Sequence, residues 1–196
     1  MEKKRIITAF DFDGTLTTSD TLVLFIRYVF GYRVCCMGFL LHLPFIVLML
    51  LHCYPNGKCK QRLFSWFFRG MSYDRFRQLG IDFEREVRPL LRPATIALLQ
   101  QHRQEGPVYV VSASIDEWVR PVCQRLGVSD VLCTQVEVDE EGCLTGRFLM
   151  PNCYGEEKVR RLLEVEPMRE DYFLYAYGDS KGDRALLAFA DKGTRV

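Results

Sequence analysis

Two aspartates, Asp11 and Asp13, stand two residues apart in the stretch Phe10-Asp11-Phe12-Asp13-Gly14-Thr15. The preceding Ile6-Ile7-Thr8-Ala9-Phe10 is β-rich and uncharged, and reads as a short buried strand. Residues i and i+2 of a strand share a side. Both carboxylates therefore leave the strand's C-terminal end together, where open α/β sheets bind ligands. Adjacent carboxylates repel unless a cation or a proton compensates. The spacing fits a hard metal ion with one carboxylate left for chemistry, although Asp-Gly after a strand is also an ordinary turn signal.

Three further places decide between the two. Val108-Tyr109-Val110-Val111 reads as a second buried strand ending at Ser112-Ala113-Ser114, Lys158 falls in the first turn of a helix after Tyr154-Gly155, and Tyr172–Ala176 reads as a strand leading to Gly178-Asp179-Ser180-Lys181-Gly182-Asp183. Together they supply the parts of phosphoryl transfer: an in-line nucleophile, a cation for the phosphoryl oxygens and an acid for the leaving oxygen. Asp11 is the candidate nucleophile, forming an acyl-phosphate. Asp13 is the candidate acid and base, which needs a raised pKa. The Ser112 hydroxyl and the Ala113 amide could hold a phosphate oxygen at a helix N-terminus. A cation at the position of Lys158 opposes the helix dipole unless it faces an anion. Asp179 could complete an oxygen-rich Mg²⁺ site with Asp11 and the backbone carbonyl of Asp13, with Asp183 acting behind it or through water. Taken singly, each has a plain structural reading: an N-cap, a solvated lysine, a turn.

The elements that must position these groups fall into three zones. Residues 4–16 are strand and turn, residues 17–105 carry no convincing β pattern and look helical, and residues 106–196 alternate strands and helices. This order predicts an α/β protein: a Rossmann-like parallel sheet core, residues 1–16 and 89–196, with a helical cap, residues 17–88, inserted after the first strand. Within the last zone, Val131–Val138 and Cys143–Leu149 are expected to form a hairpin or flap around Asp139-Glu140-Glu141-Gly142, and Asp183–Ala190 the final helix. At 196 residues, 48% apolar and 26% charged, the chain suits one globular α/β unit. A net charge of +1 with scattered Lys and Arg argues against nucleic acid as a partner. Eight cysteines form no CxxC pair, and Met1-Glu2-Lys3-Lys4-Arg5 leads straight into the first strand without a cleavable signal. Reduced thiols in a cytoplasmic protein are the expectation.

The four elements, in this order, resemble the motifs of the haloacid dehalogenase-like superfamily of phosphatases: Asp-x-Asp-Gly-Thr at Asp11 to Thr15, a strand-ending Ser at Ser112, a lysine near a helix start at Lys158, and Gly-Asp-x-x-x-Asp at Gly178, Asp179 and Asp183. Lys181 and Lys192 are other lysines nearby, and the position at a helix start favours Lys158. The resemblance spans nearly the whole chain. It implies a Mg²⁺-dependent phosphatase with an aspartyl-phosphate intermediate, with Gly14 and Thr15 beside the phosphate. The helical insertion and the flap ending in Leu144-Thr145-Gly146-Arg147 are similar to the phosphoserine phosphatase-like branch, whose acidic substrate contact would fall at Asp20. Two departures point away from phosphoserine itself. The Ser-Gly-Gly of those enzymes is Ser112-Ala113-Ser114 here, and their lysine precedes a Gly-Glu pair, whereas Lys158 follows Gly155-Glu156-Glu157. Their substrate-binding arginine has only Arg62 and Arg69 as candidates. The pattern is nearer to relatives that include a phosphatidylglycerophosphate phosphatase. The expected substrate is a small phosphometabolite or lipid headgroup phosphate. Phosphoserine hydrolysis, and phosphoryl transfer to an acceptor other than water, are the alternatives.

From Val34 to Gly57, 24 residues pass without a Lys, Arg, Asp or Glu. A helix of that length approaches the thickness of a bilayer's hydrocarbon core, about 30 Å. Asp11 and Ser112 flank the insertion and must meet, so the chain must return, and Pro44 interrupts the run. A re-entrant or interfacial hairpin with Lys58, Lys60, Arg62 and Arg69 at headgroup level is one expectation, placing the protein at the inner face of a membrane. A buried cap core or dimer contact is the other. Trp66, Phe67 and Phe68 could line a substrate mouth or pack within the cap.

Overall fold

The computed structural model describes residues 4–196. Five parallel strands form the central sheet: β1 (Arg5–Phe10), β2 (Val108–Ile115), β3 (Asp130–Thr134), β6 (Tyr172–Gly178) and β7 (Lys192–Arg195), in the order β3-β2-β1-β6-β7. The alternation of a strand explains its two faces. Ile7 and Ala9 pack on one side with Leu162 of α6 (Glu156–Val165) and Leu186 of α7 (Arg184–Phe189). Phe10, Val108 and Val110 face the other, where Trp118, Val119 and Val122 of α5 (Asp116–Leu126) cover them. Both faces are buried, which is why the strands read as continuous apolar runs. Gly127, in the left-handed region at φ 70°, ends α5.

Between β1 and β2 run α1 (Thr21–Leu50), α2 (Asn56–Phe68), α3 (Tyr73–Val87) and α4 (Pro93–His102). Phe25, Phe64, Phe68, Phe76 and Phe83 from the first three stack on one another and on Trp118, so this aromatic cluster joins the insertion to the core. Phe67 and Phe68 are buried in this packing, as the second reading of the aromatic run had it. Gly38 lets the Phe67 ring close on α1, for a Cβ there would meet it at 2.3 Å.

Three expectations need correction. The apolar segment is no hairpin: α1 continues through Pro44 to Leu50, and the break in helical geometry lies at Gly31, with φ 78° and ψ 168°. Nor is the segment core: in its most apolar 18-residue window, 17% of the residues are buried, and Leu40, Leu41, Leu43, Val47, Leu48 and Leu50 are exposed. By length and composition α1 suffices to cross a membrane. The expected hairpin is split, since residues 130–134 join the main sheet and only β4 (Val136–Val138) pairs with β5 (Leu144–Phe148). Arg161 holds the Cys133 carbonyl and supports this division. The β4-β5 ribbon lies on the insertion, where Gly70 and Tyr73 donate to the Leu144 and Gly142 carbonyls at 2.8 Å each. The final helix starts at Arg184, after a 3₁₀ turn over Lys181–Asp183.

Candidate active site

The pairing of β1 with β6 assembles the acidic groups. Phe10 stands opposite Tyr177, and the Asp11 amide donates to the Tyr177 carbonyl at 2.9 Å. Asp11 and Asp179 therefore leave neighbouring strand ends. Carboxylate oxygens of Asp11, Asp179 and Asp183 all lie within 4.8 Å of one another. Gly14 (φ 77°) permits this approach, because a Cβ at that position would fall 2.3 Å from Asp179 Oδ2. The buried Thr15 hydroxyl donates to Asp179 Oδ1 at 3.5 Å.

Lys158, 2% exposed, reaches from the first turn of α6 to Asp11 Oδ1 at 2.5 Å and Asp183 Oδ1 at 2.6 Å. Two carboxylates thus offset the opposing dipole. Burial favours the neutral amine, but Asp11 and Asp183 outweigh it and hold the Lys158 pKa above its usual range. For Asp11 the balance reverses: burial outweighs Lys158 and pushes its carboxyl to about 7. Asp183 is raised by burial but lowered further by Lys158, Ser180 and backbone donors, so it stays below the usual carboxylate range. Its Oδ2 accepts from the Asp179 amide at 3.2 Å, the Ser180 amide at 2.9 Å and the Ser180 hydroxyl at 2.7 Å. Asp183 belongs to the acidic cluster and also orders the loop that carries Asp179.

Asp13 is held apart from this cluster. Its Oδ1 accepts from the Thr21 amide at 3.0 Å and hydroxyl at 2.7 Å, and its Oδ2 from the Ser114 hydroxyl. Burial first, then the charge of Asp20, raises its pKa against these donors. Thr21 is itself fixed by the Trp118 indole at 3.1 Å. Thr21 and Ser114 were not singled out in the sequence. The alternation of β2 that puts Ser112 and Ser114 on one side was the available signal.

A cavity of about 490 Å³ opens over these groups, lined by Asp11, Asp13, Gly14, Asp20, Ser112, Ala113, Lys158 and Asp179. The registration of β2 with β3 shifts between Ser112 and Ile115, so this stretch bulges at the site. Ser112 Oγ accepts from the Ser114 amide at 3.1 Å. Asp20 lines the cavity but spends Oδ1 capping α1, accepting from Leu22 N at 2.9 Å and Val23 N at 3.4 Å. The insertion contributes Leu22, Val23, Phe39, Ile46, Met49, Leu63 and Lys60. Among the described residues lining the cavity there is no arginine: Arg62 instead stacks on Phe45 at 3.9 Å. Lys60 was read only as a headgroup-level cation, since a helical lysine is ordinarily a solvated one.

A parallel sheet carrying paired aspartates, a buried lysine and a Gly-Asp loop at adjoining strand ends defines a class. Residues 8–188 match the family model described as haloacid dehalogenase-like hydrolase, and the chain belongs to that family. It is 33% identical over 200 residues to Protein CicA of Caulobacter vibrioides, covering 100% of this chain and 88% of that protein. It is 29% identical over 126 residues to a histidinol-phosphatase of Neisseria meningitidis serogroup C, covering 59% and 57% of the two chains. A substrate-bound phosphoserine phosphatase complex shares the fold, with TM-score 0.66 and 18% identity, covering 99% of this chain and 86% of that one. The chain is thus a hydrolase of the haloacid dehalogenase-like class.

Proposed function

We propose that the protein is a Mg²⁺-dependent phosphomonoesterase working through an aspartyl-phosphate on Asp11. The observation that carries this is the separation of the two aspartates: Asp11 lies with Lys158 in the acidic cluster, while Asp13 is turned onto Ser114 and Thr21. Paired carboxylates with divergent surroundings divide the roles of nucleophile and acid between them.

The donor set fits a hard cation. Asp11, Asp179 and Asp183 offer oxygens at mutual distances suited to one ion, and the Asp13 carbonyl is a further candidate ligand. Bound there, Mg²⁺ would neutralise charge on the phosphoryl oxygens. Asp11 attacks phosphorus and the phosphorus–ester oxygen bond breaks. Asp13 gives its proton to the departing alkoxide, then takes one from the water that attacks the acyl-phosphate. Inorganic phosphate leaves and the Asp11 carboxylate is restored. Lys158 holds Asp11 in place and meets the incoming phosphoryl charge, with Ser112, Ala113, Gly14 and Thr15 around it. The segment 17–88 acts as the cap, and residues 1–16 and 89–196 as the core.

The largely apolar cap wall supports a phosphate ester with an apolar body over phosphoserine. The exposed face of α1, continuous with that wall, supports peripheral contact with a membrane from the cytoplasmic side. The test is hydrolysis of a generic phosphomonoester with Mg²⁺ and with EDTA. Release of phosphate that requires Mg²⁺ is expected, and equal rates in EDTA would overturn the metal role. Adding short alcohols separates hydrolysis from transfer, which would yield new phosphate esters.

A further inference from the structure

Lys60 is the one cation that the described residues of the insertion bring to the cavity wall. It reaches from α2 across to the core, where its Nζ donates to the Ala113 carbonyl at 2.8 Å. That carbonyl is already held by the Thr134 hydroxyl at 2.9 Å, so the contact adds a second donor to a satisfied acceptor. An ammonium has three N–H groups. Among the described residues, no other hydrogen bond and no ion pair is made by Lys60, in contrast to Lys158 with its two carboxylates. Burial pulls its pKa below the usual lysine value, and the more distant charges of Asp13 and Asp20 only partly compensate. A charge so placed lacks the partner that desolvated cations ordinarily have.

Around Lys60 the cap side of the cavity is mostly apolar, with Leu22, Val23, Phe39, Ile46, Met49 and Leu63; its other polar members, Thr18, Ser19, Asp20 and Asn56, carry no positive charge to meet an anion. On the core side Asp11, Lys158 and Asp179 take the phosphate. We infer that Lys60 is a specificity-determining residue that binds an anionic oxygen on the leaving alcohol, the unpaired ammonium beside Ala113 receiving it while the apolar wall covers the remaining body. The substrate class is therefore a phosphomonoester whose alcohol bears a second anion, either a carboxylate or a phosphodiester. This rests on the reading of the cavity as a phosphatase site, and binding of inert analogues separates the two claims.

The probes are three non-hydrolysable phosphonates: propylphosphonate, 3-phosphonopropionate, and a propylphosphonate carrying a methyl phosphodiester at its far end. Dissociation constants are measured by titration calorimetry with Mg²⁺ present, on the whole chain. The native protein is expected to bind at least one anion-bearing probe tenfold or more tightly than propylphosphonate, and the arm with the larger preference names the source. Lys60→Met should collapse that ratio to within about twofold, and Lys60→Arg should keep most of it. Lys60→Gln serves where the methionine variant fails to melt cooperatively. A native protein without the preference, or one binding none of the probes, overturns the inference. So does a preference that survives in both Lys60→Met and Lys60→Gln. If the preference holds and the corresponding phosphate esters are not hydrolysed, the anion site stands and the phosphatase mechanism falls.

Discussion

Lys158 Nζ lies 2.6 Å from Asp183 Oδ1, and the other oxygen of that same carboxylate holds the amides of Asp179 and Ser180. One side chain thus ties the buried lysine to the loop that carries a candidate metal ligand. Asp183→Asn should loosen both, lowering apparent Mg²⁺ affinity and kcat together. A variant with native Mg²⁺ dependence would show that the loop is ordered by something else.

Lys158→Met removes the counter-charge from two buried carboxylates. Leaving a buried charge unpaired costs about 3–5 kcal/mol. A fall of that order in urea-unfolding stability at pH 8 without metal is expected, along with loss of turnover. A loss under about 1 kcal/mol would mean that the carboxylates find water.

Asp11→Asn should abolish turnover and acyl-phosphate formation, with circular dichroism unchanged. It also carries a pH signature. The folded pKa of Asp11, about 7, exceeds the unpaired value of 3.8, so folding favours the protonated carboxyl. Its contribution is fully present below the unfolded pKa and is lost as pH rises through the folded one. Between pH 5.5 and 8 in EDTA, the native protein should lose on the order of 2 kcal/mol relative to Asp11→Asn. Glu117, which burial also raises to about 7, is common to both proteins and cancels. A constant difference would refute the buried, raised Asp11.

Gly14→Ala places a Cβ against the Asp179 carboxylate in a left-handed backbone. The strain costs about 1–2 kcal/mol. Asp179 must also move, so the Mg²⁺ concentration for half-maximal activity should rise at least tenfold. An unchanged Mg²⁺ titration would separate Gly14 from the metal site.

Leu48→Lys with Leu50→Lys tests the outer face of α1. Both side chains are exposed, at 41% and 67%, so the melting temperature should hold within a few degrees. The native protein is expected to float with phosphatidylcholine–phosphatidylglycerol vesicles and the double variant to remain below. Identical flotation would rule out this helix as the contact.

Asp11, Lys158 and Asp179 could be read from local pattern because each sits where a strand stops or a helix starts, whereas Ser112, expected at a strand end before a helix, lies inside β2, which runs on to Ile115 with α5 starting only at Asp116. Asp13's supports could not be read in that way. Ser114 is 101 residues away in the chain, and its hydroxyl reaches Asp13 only once β1 and β2 are paired. Lys60 looked like any surface lysine until α2 crossed to Ala113. The edge strand β7, Lys192-Gly193-Thr194-Arg195, has no apolar run to announce it; it forms because β6 offers an unpaired edge. Pro44 suggested a break in α1, yet the left-handed Gly31 is where helical geometry fails.

Within α1, Phe39 and Ile46 look into the cavity while their immediate neighbours Leu40 and Val47 look out. Inner and outer faces are therefore written into neighbouring letters of one helical segment, beyond the break at Gly31. Any molecule that leans on the outside and tilts that segment also reshapes the cavity within, so the two faces cannot change independently.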